Sequence, residues 1–387
     1  MIKNKKIIFF INHVAFFVSH RLPLALEAIN RGYDVELITG QPGSISMEEE
    51  ALVILKKNKI TFNRISFESS GVNIIKEFKS LIQLYRLLKI KDPDLIHMAS
   101  PKAIFYGGFI CHFLKARALV FSFSGFGFAF TESRDLSFFR NFMKFISRFF
   151  LKLIFFHKKI FVIVQNKDDL NFFLDKNILK KSQISLIKGS GVNFENYNDI
   201  SFKKKEKKII FPARVLLDKG INEFVQAANI LKPVFPDWQF IVAGAFDYKN
   251  PSSISLEQIQ KIVSKNSVVF LGHLSDIEDL FKTSSIVCLP SYREGMPKAL
   301  LEAQAAGCAV VTTDVIGCRE SILDKQTGFL VKPYDILGLV SALEKLILNK
   351  DLRENFGKEG INFSKKNFDM KVVLDKVMNL YDLLTQK

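Results

Sequence analysis

Two acidic residues spaced as Glu294-x7-Glu302 stand at the centre of the segment 290–313, and their neighbours decide what they can do. The apolar run 286–289 stops at Pro290, and a turn-rich stretch follows with Glu294, Gly295 and Pro297. A helix-forming segment then runs to Gly307 before a second apolar run, 309–313. Pro297 suits the first turn of a helix, where a missing N–H costs nothing, and Gly307 suits its stop. The succession is strand, loop, helix, strand. First-turn N–H groups then face the crevice at the strand end, where open α/β sheets bind ligands. An anion there gains from the helix dipole, and nearby carboxylates accept hydrogen bonds from hydroxyls. A phosphate joined to a polyol, as in a nucleotide sugar, meets both conditions. Most helical glutamates face water, but Glu302 lies among Leu300, Leu301, Ala303, Ala305 and Ala306. Carboxylates in such apolar surroundings are uncommon unless partnered, which favours the functional reading.

Cations sit where that chemistry needs them. Arg214 and Lys219 follow the apolar run 208–212 and precede a helix-like stretch, 221–231. A diphosphate leaving group gains negative charge as the glycosidic bond breaks, and fixed cations stabilise it. Asp218 is placed to orient Lys219. Gly244 and Gly272-His273 end two further apolar runs, and each glycine reads equally as a plain turn or as room for a flat ring. In the first half, Ser19, His20 and Arg21 at a helix N-terminus offer contacts to an acceptor phosphate. Ser124, Gly125 and Gly127 follow a strand-like run and suit close approach of an acceptor. Gly-x-Gly without a third glycine and a downstream acid is no dinucleotide fingerprint.

The segment Ser291-Tyr292-Arg293-Glu294-Gly295-Met296-Pro297…Leu301-Glu302-Ala303 resembles the nucleotide-sugar site of retaining GT-B glycosyltransferases, specifically glycosyltransferase family 4. The likeness extends through Pro212–Gly220, Thr312-Thr313-Asp314…Gly317-Cys318-Arg319-Glu320 and Thr327–Val331. Ala15–Pro23 and Gly189-Ser190-Gly191-Val192 resemble a narrower branch that builds lipid-linked oligosaccharides. The resemblance implies two facing Rossmann-like doubly wound parallel-sheet domains with an interdomain cleft. It gives Arg214 and Lys219 the nucleotide diphosphate, Glu302 the ribose hydroxyls and Glu294 the transferred sugar, helped by backbone N–H groups of Gly295, Met296 and Lys298 beside Pro297. Family members hold the nucleobase near the positions of Gly244, Gly272 and His273. They often place a histidine near the reacting sugar where His97 stands, although a histidine beside a strand is commonly structural. The glycine pair many members carry in the loop after the first strand is absent from 12–21. Asp92-Pro93-Asp94 matches the Asp-x-Asp metal motif of the other large glycosyltransferase fold, but it precedes a strand and Pro93 makes it a turn. No catalytic metal and no cofactor is expected; the UDP-sugar is a substrate. Retention would follow front-face departure and attack, with the donor phosphate taking the acceptor proton.

The elements that must position these residues are legible in the pattern. A chain of 387 residues accommodates two or three domains. Apolar β-type runs at 6–11, 35–39, 95–98, 119–123, 160–165 and 184–187 alternate with helix-like segments such as 23–31 and 74–89. A second series follows at 208–212, 239–243, 268–271, 286–289, 309–312 and 329–331. This βα alternation predicts mostly parallel, doubly wound sheets. Domains are expected at 1–195 and 196–367, with a last helix, 368–387, crossing back to the first. The lysine-rich stretch 193–208 reads as a solvated linker. Cys111, Cys288, Cys308 and Cys318 lie apart or in apolar runs and read as reduced, packed thiols. The basic, apolar start has no cleavage site and reads as a buried strand; no run is long enough to span a bilayer.

Residues 1–200 hold 29 Lys/Arg against 17 Asp/Glu, so the basic excess belongs to the first half. Nucleic acid, anionic lipid and phosphorylated substrates fit such a surface. In 138–159, Arg140, Lys144, Arg148 and Lys152 recur as a cationic stripe beside Phe138, Phe142, Phe145 and Phe149. Basic amphipathic helices with aromatic faces lie on anionic membranes, although the same aromatics also suit a domain core. The expected protein is a cytoplasmic enzyme on the inner face of the inner membrane. It moves a hexose or N-acetylhexosamine, on branch resemblance α1,3-N-acetylgalactosamine, from a UDP-sugar to an undecaprenyl-diphosphate-linked saccharide. A teichoic acid or soluble sugar acceptor is the alternative, and a GT-B epimerase a further one. A nucleic-acid-binding module would leave Glu294, Glu302, Arg214 and Lys219 unexplained.

Overall fold

A computed structural model describes residues 4–42, 45–67, 74–114, 116–125, 154–155, 159–248, 250, 252–255, 257–258, 261, 267–274 and 276–386. The segment carrying Gly127, Arg140, Lys144, Arg148 and Lys152 lies outside the described residues. The chain divides into two compact units, residues 1–187 with 373–387, and residues 188–372.

In the first unit the strands are β1 (Lys6–Ile11), β2 (Asp34–Thr39), β3 (Thr61–Arg64), β4 (Leu95–Ala99), β5 (Leu119–Phe123), β6 (Ile160–Val164) and β7 (Ile184–Leu186). They pair in parallel in the order β3-β2-β1-β4-β5-β6-β7. Alternation along each strand feeds two cores. Ile8, Phe10, Ile96, Met98, Leu119 and Phe121 point to one, with the helices Ile74–Lys91, Pro101–Leu114 and Lys167–Asp175. Ile7, Phe9, Ile11, Leu37, Leu95 and Val120 point to the other. That second core is closed by the helices Val14–His20, Leu22–Asn30, Ile45–Lys57 and Met370–Thr385. Strands covered on both faces read as continuous apolar runs, which is why KIIFFI is a strand here. Each fully buried Phe or Ile contributes about 1.5–3 kcal/mol.

The second unit contains β8 (Glu206–Phe211), β9 (Gln239–Ala243), β10 (Val269–Gly272), β11 (Ser284–Leu289), β12 (Ala309–Thr313) and β13 (Gly328–Val331). Their order, β10-β9-β8-β11-β12-β13, is again all parallel and reverses direction between β8 and β11. The helix Ile221–Leu231 packs on Ile336–Leu348, and Lys298–Ala305 on Lys350–Phe368. Ligands of such sheets bind where the strand order reverses. The loops after β8 and β11 are therefore the ones to inspect.

Three details differ from the sequence pattern. β3 was invisible because this edge strand is mostly exposed and carries no apolar run. The expected last helix begins at Met370 instead of Phe368, because Phe368 closes the preceding helix, Lys350–Phe368. Val192 bridges the junction, its N–H donating to the Phe368 carbonyl and its carbonyl accepting from Met370. The lysine-rich stretch is not simply solvated. Its Lys205 ammonium donates to the carbonyls of Phe281 (2.9 Å) and Ala306 (2.7 Å), holding it against the second unit.

Candidate active site

β8 ends at Phe211, and a short turn, Leu217–Lys219, leads into the helix Ile221–Leu231. β11 ends at Leu289, and the next loop runs through Ser291 to Pro297, which caps the helix Lys298–Ala305. The Tyr292 N–H donates to the Asp218 carbonyl at 2.9 Å and joins the two loops. Lys219 Nζ then lies 2.6 Å from Glu294 Oε1, with both side chains 16% exposed. Ser291, fully buried, donates its hydroxyl to the same oxygen at 2.8 Å. Two charge-assisted hydrogen bonds converge on one carboxylate oxygen, which offsets much of the cost of desolvating the pair. Burial works against the Lys219 ammonium, but the Glu294 and Asp218 carboxylates outweigh it and hold its pKa above the ordinary lysine value. Lys219 is a fixed cation at neutral pH.

A third loop, after β12, supports Glu294 from behind. The Glu294 N–H donates to the Ile316 carbonyl at 3.0 Å. Gly317 follows with φ +81°, and a Cβ there would lie 2.3 Å from the Glu294 carbonyl oxygen. Only glycine permits that approach. The Thr313 hydroxyl donates to the Ser291 carbonyl.

Glu302 stands in the helix Lys298–Ala305, 14% exposed and 3.1 Å from Lys298 Nζ. Burial raises its pKa above the usual carboxylate value; Lys298 opposes the shift and Glu278 adds to it. The helix ends in paired bonds from the Gly307 and Cys308 N–H groups to the Gln304 and Ala303 carbonyls, the stop its glycine foretold. Gly295, Met296 and Pro297 are buried at its N-terminal end. Arg214 is half-exposed, its guanidinium 2.7 Å from Asp247. Of the expected donor residues, Lys219 and Glu294 thus touch, Glu302 takes Lys298, and Arg214 takes Asp247.

At Gly244 a Cβ would lie 1.8 Å from the Ala213 carbonyl oxygen, so this glycine serves the close passage of two strand ends. Gly272 has φ +72° with open space about it, and His273 is exposed. Sequence reasoning met Ser291 and Gly317 only as parts of the resemblance, without a role, and missed the Tyr292–Glu223 bond (2.7 Å). The available signal was Ser291 itself, a small hydroxyl directly after the Pro290 that ends the strand.

In the first unit the outcome is different. His97 is buried in the middle of β4, its Nε2 2.7 Å from Ser122 Oγ and its Nδ1 bonded to the Tyr381 hydroxyl. Its ring stacks on Phe9 at 5.2 Å. Burial, and secondarily Arg21, push its pKa well below 6.5. Both ring nitrogens of His97 are therefore engaged inside the first unit's core. Ser19 and His20 close the helix Val14–His20, their side chains 2.6 Å apart, instead of opening a helix. Arg21 does stand at a helix start, capping Leu22–Asn30, but is 6% exposed, and burial lowers its pKa to about 10. Ser124 and Gly125 follow β5, Gly125 with φ +99°.

Two doubly wound parallel sheets, with acids and cations gathered at the reversal of strand order in the second, define a GT-B glycosyltransferase. Residues 6–158 match the family model "Glycosyl transferase 4-like" and residues 193–363 match "Glycosyl transferases group 1". The chain belongs to this family and is a glycosyltransferase. It is 27% identical, over 96% of its length and 97% of the relative's, to the N,N'-diacetylbacillosaminyl-diphospho-undecaprenol alpha-1,3-N-acetylgalactosaminyltransferase of Campylobacter jejuni. It is 26% identical, over 82% of each chain, to the UDP-Gal:alpha-D-GlcNAc-diphosphoundecaprenol alpha-1,3-galactosyltransferase of Escherichia coli. The crystal structure of Anabaena HepE in complex with UDP-glucose shares the fold, with a TM-score of 0.76, 14% identity and coverage of 97% and 99% of the two chains.

Proposed function

We propose that this glycosyltransferase moves a hexose or N-acetylhexosamine, N-acetylgalactosamine in α1,3 linkage being the particular expectation, from a UDP-sugar to an undecaprenyl-diphosphate-linked saccharide with retention of configuration. The observation that carries the reading is the contact of Lys219, Glu294 and Ser291 where the sheet order reverses. Support for a lipid-linked acceptor comes from the two relatives, whose names give undecaprenyl-diphosphate saccharides as acceptors. On this reading Lys219, kept protonated, meets the diphosphate, and Arg214 leaves Asp247 to join it. Positive charge placed where the leaving group develops negative charge is the largest contribution such a site can make. Glu294, held by Ser291 and Lys219, accepts from hydroxyls of the transferred sugar. Glu302 accepts from the ribose, and the donor phosphate takes the acceptor proton. The two cations supply this charge without a metal, so turnover should survive EDTA. The enzyme would act on the cytoplasmic face of the inner membrane.

The test is incubation with a panel of UDP-sugars and short-chain polyprenyl-diphosphate saccharides. Products are scored by mass and their anomeric configuration by NMR. Transfer with retention, lost in Lys219→Ala and Glu294→Gln, is expected. No transfer to any lipid-linked acceptor, or an inverted product, refutes the reading.

A further inference from the structure

Tyr292 ties together three of the loops that gather at one end of the second sheet. Its N–H holds the Asp218 carbonyl at 2.9 Å, one residue before Lys219. Its side chain reaches past Lys219 to the helix Ile221–Leu231, where the hydroxyl donates to Glu223 Oε1 at 2.7 Å. The loop after β11 is therefore fastened to the chain on both sides of Lys219. From the loop after β13, Tyr334 packs its ring against that of Tyr292, with centroids 4.2 Å apart. Tyr334 holds φ +65°, a left-handed backbone that bulky residues rarely adopt, and its side chain is largely exposed. Strain at an exposed aromatic adds nothing to the core; it backs the Tyr292 ring and keeps the hydroxyl on Glu223. The Tyr292–Glu223 pair is also a poor way to stabilise a fold. Glu223 is 7% exposed, and its Oε2 is buried with no hydrogen-bond partner among the described residues. A carboxylate taken out of water for a single donor is less favourable than an apolar pair of similar size. What the bond supplies is position.

We propose that Tyr292 and Glu223 are positioning residues for the transfer reaction, which together set Lys219 against Glu294 so that the ammonium stands where the leaving diphosphate gains charge. Both act through Lys219, whose 2.6 Å contact with Glu294 requires the loops after β8 and β11 to keep their spacing. Burial, and after it the Glu223 carboxylate, hold the Tyr292 phenol above its ordinary pKa, so the hydroxyl remains a donor. The inference rests on Lys219 meeting the diphosphate, but one arm of its test needs no substrate.

The experiment compares full-chain variants with wild type by initial rates of UDP release, by thermal unfolding and, without substrate, by acylation of Lys219 followed in peptide mass spectra. Tyr292→Phe keeps the ring and the backbone bond and removes only the hydroxyl. It should lower kcat at least about tenfold while KM for the UDP-sugar changes less than about threefold. Lys219, less firmly paired, should acylate severalfold faster. Glu223→Gln keeps an oxygen for the Tyr292 hydroxyl and should retain at least about half of the wild-type kcat. The double variant Tyr292→Phe, Glu223→Leu strands no buried carboxylate. Its melting temperature should return to the wild-type value or above, while kcat stays low and Lys219 stays reactive. Recovery of kcat together with stability would make the pair merely structural and overturn the proposal. So would a wild-type kcat in Tyr292→Phe, wild-type Lys219 labelling in both Phe variants, or loss of turnover in Glu223→Gln. Faster Lys219 labelling in Tyr292→Phe, with no transfer by wild type to any lipid-linked acceptor, would support the positioning role and sink the proposed acceptor.

Discussion

Replacing Gly317 by alanine tests whether the loop after β12 sets the position of Glu294. The Gly317 backbone has φ +81°, which costs an L-residue about 1–2 kcal/mol. The added Cβ would start 2.3 Å from the Glu294 carbonyl oxygen, against an ordinary contact of 3.4 Å. No rotamer relieves a clash between Cβ and backbone, so the Glu294 loop must retreat by about 1 Å. Its anchor, the Glu294 N–H bond to Ile316, moves with it. A misplacement of this size lowers turnover by roughly a hundredfold. Steady-state kcat/KM for the UDP-sugar is the assay, with thermal unfolding alongside. Gly32→Ala is the control: its φ is +86°, but nothing lies within 4 Å of its Cβ. It should lose stability through backbone strain and keep full activity. A Gly317→Ala enzyme with wild-type kcat/KM would refute the reasoning, however its stability changed.

Ser291→Ala removes one hydrogen bond to the Glu294 carboxylate and should lower kcat/KM at least about tenfold, measured by initial rates. Glu302→Gln should raise the melting temperature at pH 7. The folded pKa of Glu302 lies above 4.5, so the native state holds a proton the unfolded chain releases, and ionisation costs stability throughout the range above both values. The gain should vanish as pH falls below about 4.5, and donor affinity should drop. His97→Ala should destabilise by about 3 kcal/mol in urea unfolding, because it opens a cavity and strands two hydroxyls.

The sheets were legible because strands covered on both faces write themselves as apolar runs, as in 6–11, 119–123 and 309–313. The acids and cations of the second unit were legible because they cluster at strand ends. What escaped depended on side chains meeting across long separations. Nothing near His97 announces that Tyr381 will take its ring nitrogen. Nothing near Phe368 announces that Val192 will bond to the backbone on both sides of the junction there. Gly317 shows its reason only once the Glu294 carbonyl is beside it.

The helix Met370–Thr385 supplies Val373, Val377, Met378 and Tyr381 to the first unit's core, where Tyr381 is fully buried. Arg31 and Tyr33 reach the same helix at Asp375 and Asp382. During synthesis, then, the leading sheet waits with one flank uncovered while the whole second unit leaves the ribosome. The emerging first unit must remain soluble with an incomplete interior, and a stalled or prematurely ended chain would leave it a substrate for chaperones and proteases.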